Sequence, residues 1–144
     1  MFAANREAAK AYAYVGIETD VASADSHKLI LMLFEGAFLA IAKARLALQN
    51  NSVADKGAAI SQAIAIIDQG LKASLDVKSG GALAEKLFAL YEYMCRRLLL
   101  ANLNNQPEIL DEVTGLLREL NSAWSSIGNA AGKTANGEAR LRRV

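Results

Sequence analysis

Four stretches of this chain, each roughly 20 residues long, carry apolar side chains at the spacing of one helix face, with only short breaks between them. No other feature constrains the fold as much. The first stripe is Ile30, Leu33, Ala37, Ile41, Ala44 and Leu48, and the second is Ile60, Ala63, Ile64, Ile67, Leu71 and Leu75. The third is Leu87, Leu90, Tyr91, Met94, Leu98 and Ala101, and the fourth runs from Ile109 through Val113, Leu116, Leu117, Leu120, Ala123 and Trp124 to Ile127. A helix of that length spans about 30 Å. Short connections between helices of equal length lay them side by side and antiparallel. The sequence therefore predicts an all-α, antiparallel up-down four-helix bundle with helices near 26–49, 53–76, 82–104 and 108–127. Leu33, Leu71, Tyr91, Leu120 and Trp124 are expected in its core.

The boundaries carry their own signals. Asp25 or Ser26 can cap the first helix, and Asn50-Asn51 ends it. Ser52 followed by Asp55 is a capping-box-like pair for the second helix. Gly80-Gly81 tolerates the left-handed angles that end a helix, and Pro107 suits the first turn of the fourth. Gly128 is expected to close the fourth helix. Three regions result: an N-terminal arm or short helix over 1–25, the bundle over 26–128, and a flexible basic tail over 129–144. That tail carries Lys133, Arg140, Arg142 and Arg143 against Glu138.

Composition narrows the function. The chain has 144 residues, 53% of them hydrophobic, and one proline; that is one domain with enough apolar surface for a real core. Sixteen basic residues balance fifteen acidic ones, so nothing points to nucleic acid. Leu29 to Leu48 has the length of a membrane span, but Glu35, Lys43 and Arg45 interrupt it and argue against insertion. The N-terminus lacks the apolar core of a signal peptide, and the single cysteine, Cys95, allows no internal disulfide. Both fit a cytoplasmic protein.

The chemistry of a catalyst is missing. One histidine, His27, reads as a cap-region side chain, and no Glu-x-x-His pair supports a di-iron site. One Cys and one His cannot make a zinc site, and no glycine-rich phosphate loop is present. The sequence predicts no catalytic residue, no metal and no cofactor. Apolar residues are instead in surplus. Phe88, Leu99, Leu100 and Leu103 lie off the third stripe, and Leu29, Met32, Phe38, Leu39 and Leu46 lie off the first. Such a helix is buried on several sides or reserved for a partner.

Several blocks of residues resemble the flagellar secretion chaperone family, FliS. Tyr14, Val15, Ile17 and Thr19 precede Ala24, Asp25, Ser26, His27 and Lys28, and then come Leu29, Ile30, Met32, Leu33, Phe34, Glu35, Gly36 and Ala37. The second block is Lys56, Gly57, Ile60, Ala63, Ile66, Ile67, Gly70, Leu71, Ser74, Leu75 and Asp76. The third and most specific is Leu90, Tyr91, Tyr93, Met94, Arg97, Leu98, Ala101 and Asn102; the fourth runs through Val113, Leu116, Leu117, Leu120, Ala123, Trp124 and Ile127. The family's usual proline before the first helix is absent, with Ser26 in its place, and a few extra residues separate Thr19 from that turn.

The resemblance implies a non-enzymatic cytoplasmic chaperone. Such a protein binds the C-terminal helical segment of flagellin, prevents its premature polymerisation and assists its export for flagellum assembly. Components of the flagellar export gate are further expected partners. Phe34, Phe38, Ile66, Phe88 and Tyr93, apolar but off the stripes, are the expected flagellin contacts on the bundle. Tyr12, Tyr14 and Val15 of the arm are expected to cover that groove until flagellin displaces them. The alternative is a dimeric helical adaptor or structural protein with no flagellin client, its surplus apolar surface forming a homodimer interface.

Overall fold

The computed structural model describes the backbone of residues 25–142, and side chains through residue 127. Tyr12, Tyr14 and Val15 lie outside the described residues. Four long helical elements follow one another: α1 (Ser26–Gln49), α2 (Val53–Ala65) continued by a π-helical segment (Ile66–Lys72), α3 (Val77–Asn104) and α4 (Pro107–Arg142). No strand occurs among the described residues. α1 packs on α2 and on α4, and α3 packs on the π segment, α2 and α4. The helices thus form a ring in chain order, with α1 and α3 on diagonal corners.

Polar ties fix the antiparallel sense. Arg45, near the end of α1, pairs with Asp111 and reaches the Pro107 carbonyl at 3.5 Å, at the start of α4. His27, at the other end of α1, meets Trp124 far along α4. Lys56, in the first turn of α2, reaches the last turn of α3 through the Asn102 carbonyl at 3.0 Å. The expected up-down four-helix bundle is the fold observed.

The caps explain where helices begin. The Asp25 carboxylate accepts the Lys28 amide at 2.7 Å and starts α1. Ser52 does not cap α2 in the expected way: its hydroxyl donates to the Asp55 carboxylate at 2.7 Å and makes no bond to a backbone amide. Asp76 caps α3 by accepting the Ser79 amide at 3.1 Å. The third helix therefore begins five residues before the expected Ala82, and a break at Gly81 follows (φ 58°, ψ −139°). Helical conformation resumes after it. The last helix does not stop at Gly128, where the sequence predicts its end; it continues to Arg142. An isolated glycine costs a helix only about 1 kcal/mol, and alanines at 130, 131, 135 and 139 favour continuation.

Leu33, Leu71 and Tyr91 are buried as expected, joined by Ile41, Ile60, Met94, Leu98, Val113 and Leu117. Leu120 and Trp124 are half-buried and pack against this core. Two expected surface positions are corrected. Phe34 is 2% exposed and Ile66 0%; both belong to the core. The cause is the ring: each helix touches two neighbours, so its buried arc is wider than one stripe. Phe34 extends the arc beside Leu33, and Ile66 extends it beside Ile67, while Ile64 of the expected stripe is only half-buried.

Candidate functional site

The remaining candidates fall on different edges of the bundle. Phe88 is half-buried on the side of α3 that faces the π segment, and the Lys72 ammonium lies 4.9 Å from its ring centroid. Lys72 in turn pairs with Asp68 at 2.6 Å, a hydrogen bond that raises the ammonium pKa. Tyr93, five residues further on, faces α4. Its hydroxyl donates to Glu112 at 2.7 Å, and Arg97 Nε donates to the other oxygen of the same carboxylate at 2.7 Å. These two bonds hold the Glu112 carboxyl below its usual range, and the bond to Glu112 raises the Tyr93 phenol. Phe38 is half-buried against the core on α1, seven residues before the Arg45 that reaches α4. Phe38, Phe88 and Tyr93 therefore do not line one groove.

Two leucines extend the Phe88 face. Leu99 stands eleven residues beyond Phe88 and Leu103 four beyond that, so all three share a side of α3. Leu99 and Leu103 are 58% and 78% exposed. Cys95, between them on the same side, is half-buried with its sulfur 4.0 Å from the Ile64 carbonyl of α2. The outer edge between α2, the π segment and α3 thus presents Phe88, Leu99, Leu103 and the half-buried Ile64 as an apolar strip. The sequence placed Leu99 and Leu103 off the third stripe but not among the contact residues. The signal that finds them is a second set of apolar residues at helical spacing on one helix. On the opposite side of α3, Leu100 is exposed and shares the face of Tyr93 and Arg97.

The polar groups of the bundle act as ties. Burial, ahead of the nearby Asp68 charge, pushes the Cys95 thiol up to about 11, far from a reactive thiolate. His27 is more than a cap-region side chain: its ring stacks on Trp124 at 5.0 Å, its Nε2 donates to the Trp124 carbonyl at 2.7 Å, and Trp124 Nε1 donates to the His27 carbonyl at 3.1 Å. Among the described residues no group of three or more His, Cys, Asp or Glu stands close enough to hold a metal ion, and no helix is long and apolar enough to cross a membrane.

A helical bundle whose charged groups tie helices together and whose outer faces expose leucines has the make-up of a helix-binding protein. The particular family follows from comparison. The family model described as flagellar protein FliS matches residues 8–131, and the chain belongs to that family. The flagellar secretion chaperone FliS of Salmonella typhimurium is 52% identical over 122 residues, which cover 85% of this chain and 90% of that protein. FliS of Escherichia coli is 45% identical over 115 residues, 80% of this chain and 85% of that one. The flagellar secretion chaperone FliSB of Pseudomonas aeruginosa is 43% identical over 123 residues, 85% of this chain and 97% of that one. This is a family of flagellar secretion chaperones, not of enzymes, and the expected membership holds.

Proposed function

We propose that this chain is a cytoplasmic export chaperone that holds the C-terminal helical segment of flagellin before its export. The observation that carries the reading is the exposed apolar strip on α3, in a chain that belongs to the FliS family. Leucines at 58% and 78% exposure on one helix face are costly to leave in water and suit the apolar face of a client helix. Phe38, Phe88 and Tyr93 sit on separate edges, so a client touching all three must wrap the bundle rather than fill a single groove. A segment disordered in the monomer can do that, ordering as it binds. The arm residues Tyr12, Tyr14 and Val15 belong to the proposal as the cover that flagellin displaces. Export-gate components are the proposed recipients of the loaded chaperone.

The test is calorimetric titration of a flagellin C-terminal peptide into Leu99→Asp and Leu103→Asp variants. Both side chains are exposed, so melting should stay at the wild-type value. Loss of such contacts costs about 1–4 kcal/mol in binding, a fall of roughly 10- to 1000-fold in affinity. Wild-type affinity in both variants places the client elsewhere.

A further inference from the structure

The outer face of α1 carries a second exposed apolar row that the α3 strip does not use. Leu39 is 64% exposed and Leu46 58%, and Glu35, Ala42 and Lys43 on the same side are exposed as well. Met32 is half-exposed beside them. α1 sits diagonally across the ring from α3, so the two faces point away from each other.

The charges on this face are arranged around one leucine. Glu35 lies four residues before Leu39 and Lys43 four after it, so the three form one ridge on the helix surface. Glu35 and Lys43 are about 12 Å apart along the axis, too far to pair with each other. Neither has an ion-pair or hydrogen-bond partner among the described residues. Reversing the helix about Leu39 exchanges them: position 35 falls opposite 43, position 39 opposite itself, and position 32 opposite 46. The face is therefore complementary to its own antiparallel copy, the property an isologous interface needs. A client helix of unrelated sequence offers no reason for charges placed symmetrically about a leucine.

We infer that a second copy of this chain docks on the outer face of α1, the two α1 helices antiparallel with Leu39 on the two-fold axis. Each Glu35 pairs with Lys43 of the other copy, and Met32 packs against Leu46. The symmetry makes each charge pair occur twice. A helix stripe about 30 Å long and about 10 Å wide buries on the order of 300 Å² per copy, well below the ~800 Å² of a standard interface. The dimer is accordingly weak and dependent on concentration, and leaves the α3 strip free for a client.

Sedimentation equilibrium of the full chain, from about 10 µM to about 1 mM, tests this over the affinity range expected of so small an interface. Wild type should pass from monomer to dimer. Glu35→Lys and Lys43→Glu should each weaken self-association about 10-fold or more, since each places two like-charge contacts in the interface. The double variant Glu35→Lys/Lys43→Glu should recover to within about 3-fold of wild type, because the pairing is restored with its sense reversed. Leu39→Cys in a Cys95→Ser background should form a disulfide-linked dimer under a mild oxidant, whereas Leu99→Asp should leave self-association unchanged. A chain that stays monomeric throughout overturns the inference. So does a dimer indifferent to both charge reversals, or one that Leu99→Asp dissolves. A monomer whose Leu39→Asp variant loses flagellin-peptide binding assigns the face to the client instead.

Discussion

Lys56 offers the sharpest test of what ties the bundle together. It is 5% exposed, yet no carboxylate faces it. Its ammonium donates to the Asn102 carbonyl at 3.0 Å and to the Asn105 side-chain oxygen, both at the C-terminal end of α3. Helix C-termini carry partial negative charge, which a nearby cation complements by about 0.3–1 kcal/mol. Hydrogen bonds from a charged donor contribute about 1.5–3 kcal/mol. Against this stands the cost of dehydrating the ammonium, which a neutral side chain does not incur. Lys56→Met keeps the length and packing of the stem, so it should cost only the net difference, about 1–2 kcal/mol. In a chain of this size that lowers Tm by roughly 2–8 °C. Lys56→Ala also removes three buried methylenes at about 0.8 kcal/mol each, so it should cost about 3–4 kcal/mol. Asn105 supplies the control. It ends α3 in the left-handed region (φ 52°), where glycine is at ease, so Asn105→Gly removes the acceptor without straining the backbone. A double-mutant cycle with Lys56→Met in urea melts should show a coupling of about 0.5–1.5 kcal/mol. Lys56→Met melting with wild type, or a coupling of zero, refutes the tie.

Three further outcomes follow from the geometry. Glu112 has a folded pKa below its ordinary value of 4.5, held down by the Tyr93 and Arg97 bonds. Its contribution is therefore complete above that value and is lost as pH falls through the folded one. Glu112→Gln should flatten stability below about pH 4.5, by under about 1 kcal/mol for so exposed a pair, in urea melts run across pH. Gly81→Ala should destabilise by about 1 kcal/mol, since φ 58° suits no β-carbon. Gly115→Ala, in helix with open space at the new carbon, should stabilise by about 0.5–1 kcal/mol; thermal melts with the two signs reversed would undo both readings. Cys95, its thiol raised from 9.0 to about 11, should react with iodoacetamide roughly 100-fold more slowly in the folded chain than in urea. Equal rates would show that the thiol is not shielded.

What could be read in the sequence was whatever repeats locally. The stripes, the Asp25 cap and the start of α4 at Pro107 each follow from residues a turn or two apart, and the structure bears them out. The blocks shared with FliS lie along the same stripes. Ties between distant residues left no such mark. Lys56 meets Asn102 across 46 positions and His27 meets Trp124 across 97, and nothing near either residue in sequence names its partner. Phe34 and Ile66 failed for a related reason. A single stripe assumes a helix with one neighbour, whereas every corner of a four-helix ring has two, and the second widens the buried arc by a residue on one side. The same widening determines which apolar residues remain outside. Leu39 and Leu46 on α1, and Leu99 and Leu103 on α3, lie beyond even the wider arc. They stand on diagonal corners, where the bundle cannot cover both with one partner helix. Two separate exposed faces on so small a fold are therefore two docking problems, and variants on one face should leave the other's binding untouched.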